Sequence, residues 1–204
     1  MRDLRPEINP PYHLKTKLNP PAETTMVHYR RNFVEGGTYF FTVTLQNRRA
    51  TTLTTYIDVL RKAFRTARAE RAFQTDAIVI LPDHLHMLMT LPPDDENYPR
   101  RWQRIKTLFT QALRREDLPI DVRDKTGRAL WQRRYWEHTI RDATDFASHV
   151  DYIHYNPVRH GYTARAVDWP YSSLHRYIRA GVLPADWATD SSFSPSQFGE
   201  QATE

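Results

Sequence analysis

Residues Ala77 to Leu91 constrain the fold more than any other stretch of this chain. Ala77-Ile78-Val79-Ile80-Leu81 is short and apolar throughout, Pro82-Asp83 turns the chain, and His84 to Leu91 alternates in character. Two runs of this kind joined by a two-residue turn form a β-hairpin. A strand that is apolar at every position is covered on both faces, which predicts that 77–81 lies in the centre of its sheet.

The flanking segments fill in the rest. Gly36-Gly37 marks a turn, and Thr38 to Leu45 (TYFFTVTL) is an aromatic and β-branched strand. Leu53, Ile57, Leu60 and Phe64 recur at helical spacing and predict one long helix to about Phe73. Trp102, Ile105, Phe109, Ala112 and Leu113 mark a second helix, followed by a polar loop with Pro119 and Gly127. The aromatic segment Trp131 to His138 reads as strand or irregular chain. Asp142 is a candidate N-cap for a third helix, with Asp145 three residues on. Pro157 disfavours helical geometry at the residue before it, so this helix is expected to end near Asn156.

The resulting order (β, long α, β-β, α, β, α) is that of an α+β fold. It predicts a ferredoxin/RRM-like split β-α-β sandwich with helices packed on a central antiparallel sheet. Residues 1–27 hold five prolines and no apolar period, and read as an extended arm. Residues 28–183 form the single domain, and 184–204 a polar tail.

Composition narrows the chemistry. The 204 residues include no cysteine, which removes disulfides, thiolate zinc sites and cysteine nucleophiles and fits a reducing cytoplasm. No apolar run reaches the length of a membrane span, and the N-terminus lacks the apolar core of a secretory leader. Cytoplasmic location and no membrane partner are expected. The formal net charge is +5. Arg100, Arg101, Arg104, Lys106, Arg114 and Arg115 fall within Tyr98–Arg115 with no acid among them. Such a stretch suits a phosphate backbone, although a basic surface helix without a partner has the same composition.

His84 and His86 lie two apart in a strand, so both imidazoles leave one face of the sheet, with Leu88. Leu85, Met87 and Met89 take the other face. Two imidazoles so placed can share a cation, and a third ligand has to come from elsewhere. Taken by itself, a His-x-His is equally the signature of two histidines satisfied by hydrogen bonds.

The third helix supplies partners. At roughly 100° per residue, Phe146, Val150 and Ile153 form its buried stripe, and Asp145, His149, Tyr152 and Asn156 form a second. Tyr155 falls nearly opposite the buried stripe. If the helix packs beside the histidine face, Tyr152 and Asn156 look into one cleft and Tyr155 does not. A tyrosine aided by a cation can attack a phosphate, and one phosphodiester then replaces another with no nucleotide consumed. Asn156 offers a neutral amide oxygen suited to magnesium or manganese. The plainer reading of Tyr152 is amphipathic packing.

Taken together, these segments resemble the REP-associated tyrosine transposases, a branch of the single-tyrosine HUH transposases, named for the His-hydrophobic-His motif. The resemblance is carried by Tyr29-Arg30-Arg31, Gly36 to Val43, Leu81 to His86, Arg101 to Lys106, Trp131-Gln132 with Tyr135 to His138, His149 to Val158, and Asp168 to Ser173. It spans roughly residues 28 to 188. It implies an HUH endonuclease that cleaves and rejoins single-stranded DNA at palindromic, REP-type hairpin repeats through a 5′-phosphotyrosine and a divalent metal, Mg2+ or Mn2+. Residue by residue, His84 and His86 fall on the metal ligands, Tyr152 on the nucleophile and Asn156 on the third ligand, where many insertion-sequence relatives carry glutamine. Both monomer and homodimer are compatible with it.

Candidate DNA contacts are Arg30, Arg31, Arg48 and Arg49 around the first strand, Arg101, Arg104 and Lys106 on the basic helix, and Arg133, Arg134 and Arg141 around the aromatic segment. Trp102, in the apolar stripe, is expected in the core rather than stacked on a base. Two other readings stay open. One is a catalytically silent hairpin-DNA-binding regulator on the same fold, and the other an HUH replication or relaxation initiator.

Overall fold

The computed structural model describes residues 31–115 and 129–189. The arm, Arg30, the loop with Pro119 and Gly127, and the tail from residue 190 onward lie outside them. Among the described residues the elements run β1 (Thr38–Thr44), α1 (Thr52–Thr55), α2 (Ile57–Glu70), β2 (Gln74–Ile80), β3 (His84–Thr90), α3 (Tyr98–Arg115), β4 (Trp136–Thr139), α4 (Ala143–Arg159) and α5 (Leu174–Arg179). The strands form one antiparallel sheet in the order β2-β3-β1-β4. This is the split β-α-β arrangement that the sequence predicts, and no helix among the described residues is long and apolar enough to cross a membrane.

Strand periodicity divides the core in two. Tyr39, Phe41 and Val43 of β1 and Leu85, Met87 and Met89 of β3 face α2 and α3, where they meet Leu60, Phe64, Trp102 and Phe109. Phe40 and Leu88 point the other way, onto Val150, Tyr152 and Ile153 of α4. All seven residues of β3 are buried, so this strand is the covered centre of the sheet. Trp102 is 1% exposed and belongs to the core.

Three expectations are corrected. The long first helix is two, because Tyr56 (φ −111°, ψ 40°) leaves helical geometry between α1 and α2. β2 is an edge strand rather than a central one. Its Ala77, Val79 and Ile80 are buried and Ile78 is half-buried, and its outer edge is paired by residues 171–173: Ile80 N donates to Tyr171 O at 2.9 Å and Ser173 N to Ile78 O at 2.8 Å. Coverage of a strand's faces says nothing about its edges, and the inference from composition failed there.

The third correction concerns α4, which continues through Pro157 to Arg159. Proline in a helix lacks one N–H but leaves the following turn intact where the ring finds room. His160 N closes that turn on Asn156 O at 3.0 Å, and Gly161, at φ +71°, then reverses the chain. At the other end the Asp142 carboxylate accepts from Asp145 N at 2.8 Å, the cap expected from the sequence.

Candidate active site

The antiparallel register builds the floor of the site. Thr42 stands directly opposite His86 and Thr44 opposite His84, all on the α4 side of the sheet. Thr42 Oγ1 and His86 Nδ1 are 2.9 Å apart and share a hydrogen bond. His84 Nδ1 donates to Asp83 Oδ1 at 2.8 Å, and Arg48 holds the same carboxylate, Nε to Oδ2, at 3.1 Å. Burial raises the Asp83 pKa, but the His84 hydrogen bond and the charges of His84 and Arg48 outweigh it and hold the carboxyl below its ordinary value. Each imidazole is thus anchored through Nδ1, and Nε2 is the nitrogen it can offer to a cation. Ligating histidines are oriented in this way by an acceptor on the other ring nitrogen.

The helix α4 closes the site from above. Tyr152 packs on His86 with ring centroids 5.1 Å apart, and His160, two turns further on, packs on His84 at 5.2 Å. Asn156 lies between them at helical spacing, so one stripe of α4 runs over the histidine pair. His84, His86, Tyr152 and Asn156 are 2%, 0%, 1% and 0% exposed, so all four side chains are buried. Tyr155 sits on a half-exposed face of the helix, as its position on the wheel requires.

Asn156 tests whether a metal fits here. Its Oδ1 and Nδ2 are both buried with no hydrogen-bond partner among the described residues. An unsatisfied buried amide costs about 1–3 kcal/mol, which a chain retains when the group has another use. A neutral oxygen donor beside two anchored imidazoles suits a divalent cation of the magnesium or manganese type. The donor set fits.

A second cluster lies alongside. His138 of β4 and Asp145 and His149 of α4 bring their ligand atoms within 4.8 Å of one another. Those atoms already engage each other: Asp145 accepts from His138 Nε2 at 2.8 Å and from Arg141 N at 3.0 Å. His149 Nδ1 is 2.8 Å from Asp145 O and 3.1 Å from Oδ1. Burial raises the Asp145 pKa, but the His138 and Arg141 hydrogen bonds outweigh it and keep the carboxyl low. Burial pushes His149 down. The cluster fastens β4 to the start of α4. It reaches the first site through Phe40, whose ring lies 4.7 Å from His149, 5.6 Å from His86 and 5.8 Å from Tyr152.

The basic residues separate into groups. Arg48 is tied to the site through Asp83. Arg31 is exposed near Glu137 (3.5 Å) and over the Tyr135 ring (4.8 Å), while Arg49, Arg133, Arg134 and Arg141 present exposed side chains. The basic helix is different, because α3 packs on the face of the sheet away from the histidines. Arg101 is corrected as a DNA contact: it is 1% exposed, with its guanidinium on Asp95 at 2.9 and 3.0 Å and on the Ala72 carbonyl. Arg104 makes a two-pronged pair with Glu70, both contacts 2.6 Å. Lys106 is half-buried, donating to Gln132 O at 3.2 Å over the Trp131 and Tyr135 rings; burial first, and then the Arg31 charge, lower its pKa to about 8.

Sequence reasoning missed Thr42, Asp83, Arg159 and His160. His160 was within reach of the helical wheel, four residues past Asn156, had the helix not been ended at Pro157. Arg159, whose guanidinium lies over the Tyr152 ring at 5.4 Å, was lost with the same turn. Thr42 became visible only through the strand register.

Comparison with known proteins agrees with this architecture. The family model described as "Transposase IS200 like" matches residues 33–156. The chain is 43% identical over 165 residues to the REP-associated tyrosine transposase of Escherichia coli K12, covering 81% of this chain and 93% of that one. A Haemophilus influenzae relative placed in the same group is 49% identical over 164 residues, covering 79% and 93%. A solved REP-associated tyrosine transposase bound to a REP hairpin superposes with a TM-score of 0.72 at 42% identity, covering 86% of this chain and all of that one. The chain therefore belongs to the IS200-like transposases and, within them, to the REP-associated tyrosine transposases.

Proposed function

We propose that this transposase cleaves and rejoins single-stranded DNA beside a palindromic hairpin, with Tyr152 as nucleophile and His84, His86 and Asn156 as the holders of a divalent cation. The observation that supports it most is the stripe Tyr152-Asn156-His160 lying over the anchored histidine pair, with a buried Asn156 amide that no described residue satisfies.

The chemistry follows from the residues. Tyr152 Oη attacks the phosphorus and the bond to the 3′ oxygen breaks, leaving a 5′-phosphotyrosine and a 3′ hydroxyl. The phenol gives up its proton and the departing oxygen gains one. A bound Mg2+ or Mn2+ would polarise the scissile phosphate and hold it in place. Arg159 sets a positive charge beside the ring on which negative charge develops. Its side chain is exposed. Arg48, on Asp83, keeps His84 oriented and adds positive charge at the rim. The solved relative carries a REP hairpin, and hairpin DNA of that type is the proposed partner here.

The test is a covalent-adduct gel with a hairpin oligonucleotide carrying a single-stranded flank, in manganese with and without chelator. Adduct is expected with metal only, and Tyr152→Phe removes it while hairpin binding persists. An adduct that survives Tyr152→Phe and disappears in Tyr155→Phe would overturn the assignment. Hairpin binding with no adduct under any condition would favour the silent regulator.

A further inference from the structure

The outer surface of α2 carries Arg61, Lys62, Arg65 and Arg68, with Asp58 and Glu70 as its only acids. Arg61 is paired with Asp58 at 3.0 Å and Glu70 is taken by Arg104, so no acid of the helix is left to Arg65 or Arg68. At about 1.5 Å rise per residue, positions 61, 65 and 68 follow one another at roughly 6 and 4.5 Å along one side of the helix.

Directly beside this row lies a groove of about 280 Å³ between α2 and the covered edge of β2. Its floor is apolar, formed by Phe64, Ile78, Ile80 and Tyr171, and the three arginines make its rim. Arg68 is held over the Phe73 ring at 5.5 Å with its Nη2 3.5 Å from Thr75 Oγ1. Arg176, donating to Thr75 O at 3.0 Å, adds a fourth cation at the same end. The proposed catalytic cluster uses none of these residues and sits on the opposite face of the sheet.

We propose that this groove is a second DNA-binding site that takes a single-stranded segment, bases against the half-exposed Ile78 and Tyr171 and phosphates along Arg61, Arg65 and Arg68. It rests on the proposed function for the identity of the nucleic acid as DNA. Charge complementarity selects a polyanion. The recessed apolar floor then selects an unpaired strand, because duplex bases are stacked inside and offer only backbone, whereas a single strand lays its bases on aromatic and apolar side chains. The groove thus holds a flank of the hairpin while the other face handles the scissile bond.

Fluorescence anisotropy with labelled oligothymidylate, which has no hairpin, and with a blunt duplex of equal length tests this on the full chain. Arg65→Glu/Arg68→Glu is expected to weaken oligothymidylate binding by about tenfold or more, with a reduced salt slope. Lys62→Glu/Arg100→Glu, an equal charge change outside the groove, is expected to have a markedly smaller effect. Tyr171→Leu keeps the floor apolar and removes stacking, and is expected to cost about fivefold or more. Equal losses in the two charge variants, or an equal loss for the blunt duplex, would overturn the proposal. So would a groove variant that changes only self-association in sedimentation. The adduct gel separates this from the catalytic reading: wild-type protein that forms no adduct but loses oligothymidylate in Arg65→Glu/Arg68→Glu refutes the chemistry and supports the groove.

Discussion

Thr42 Oγ1 stands 2.9 Å from His86 Nδ1 because the two residues face each other across the β1–β3 ladder. The orientation of one candidate ligand is therefore set by strand register, the most rigid part of the molecule. Thr42→Val is isosteric and removes only the hydrogen bond. It is expected to weaken manganese binding by about 10-fold or more, as is Asp83→Asn at His84. Calorimetric titration with Mn2+ measures this, and wild-type affinity in both variants would show that the two contacts serve packing alone.

Asn156 predicts a conflict between stability and activity. Replacing a buried, unsatisfied amide by an apolar side chain of similar volume removes a desolvation cost. Asn156→Leu should raise the urea midpoint of the metal-free protein, by about 1 kcal/mol in unfolding free energy, while abolishing adduct formation. A destabilised Asn156→Leu would mean that the amide has a structural partner in solution.

His154 makes the fold sensitive to acid. It is buried on the far side of α4 with Nε2 2.9 Å from Ser173 Oγ, and burial, with smaller contributions from Arg176 and His175, lowers its pKa from 6.5 to about 3. The folded pKa is depressed, so the unfolded chain takes up a proton below 6.5 that the native chain refuses. Stability present above pH 6.5 is lost as pH falls toward 3, at up to about 1.4 kcal/mol per pH unit. Asp76 and Asp151, raised chiefly by burial, act in the opposite sense, so the comparison has to be made within one background. Urea unfolding across this range should show a shallower pH dependence in His154→Phe than in wild type, and parallel profiles would contradict the assignment.

Arg101 and Arg104, three apart on the same helix, should behave as different kinds of residue. Arg101→Ala removes a buried guanidinium from Asp95 and the Ala72 carbonyl, with an expected loss of about 3 kcal/mol. Arg104→Ala breaks an exposed pair with Glu70 and should cost markedly less. Chemical denaturation distinguishes them, and equal effects would refute the separation into core and surface.

The α+β sandwich was legible because its two periodicities are strong: TYFFTVT in β1 and the Leu60-Ala63-Phe64-Ala67 stripe of α2 each specify one element and one buried face. That Tyr152 rather than Tyr155 would meet the histidine face was legible from a helical wheel and a strand alternation, on the condition that α4 packs on that face, which only the fold supplies. What escaped depended on pairing between distant segments. Thr42 needs the register, Arg101 needs Ala72 and Asp95 in place, and the edge position of β2 needs residues 171–173. A basic stretch such as 98–115 looks uniform in sequence, yet packing sorts its cations into buried, paired and exposed ones.

The stitching of residues 171–173 onto β2 also closes an edge that would otherwise be open. Ser173 Oγ meets the Ile78 amide across 95 residues of chain. A chain lacking residues 171–173 would keep β1 to β4, α2 and α3 but display one bare row of backbone donors and acceptors along β2. An uncovered edge of this kind is a template for strand exchange with another chain, so residues 171–173 guard the protein against its own copies.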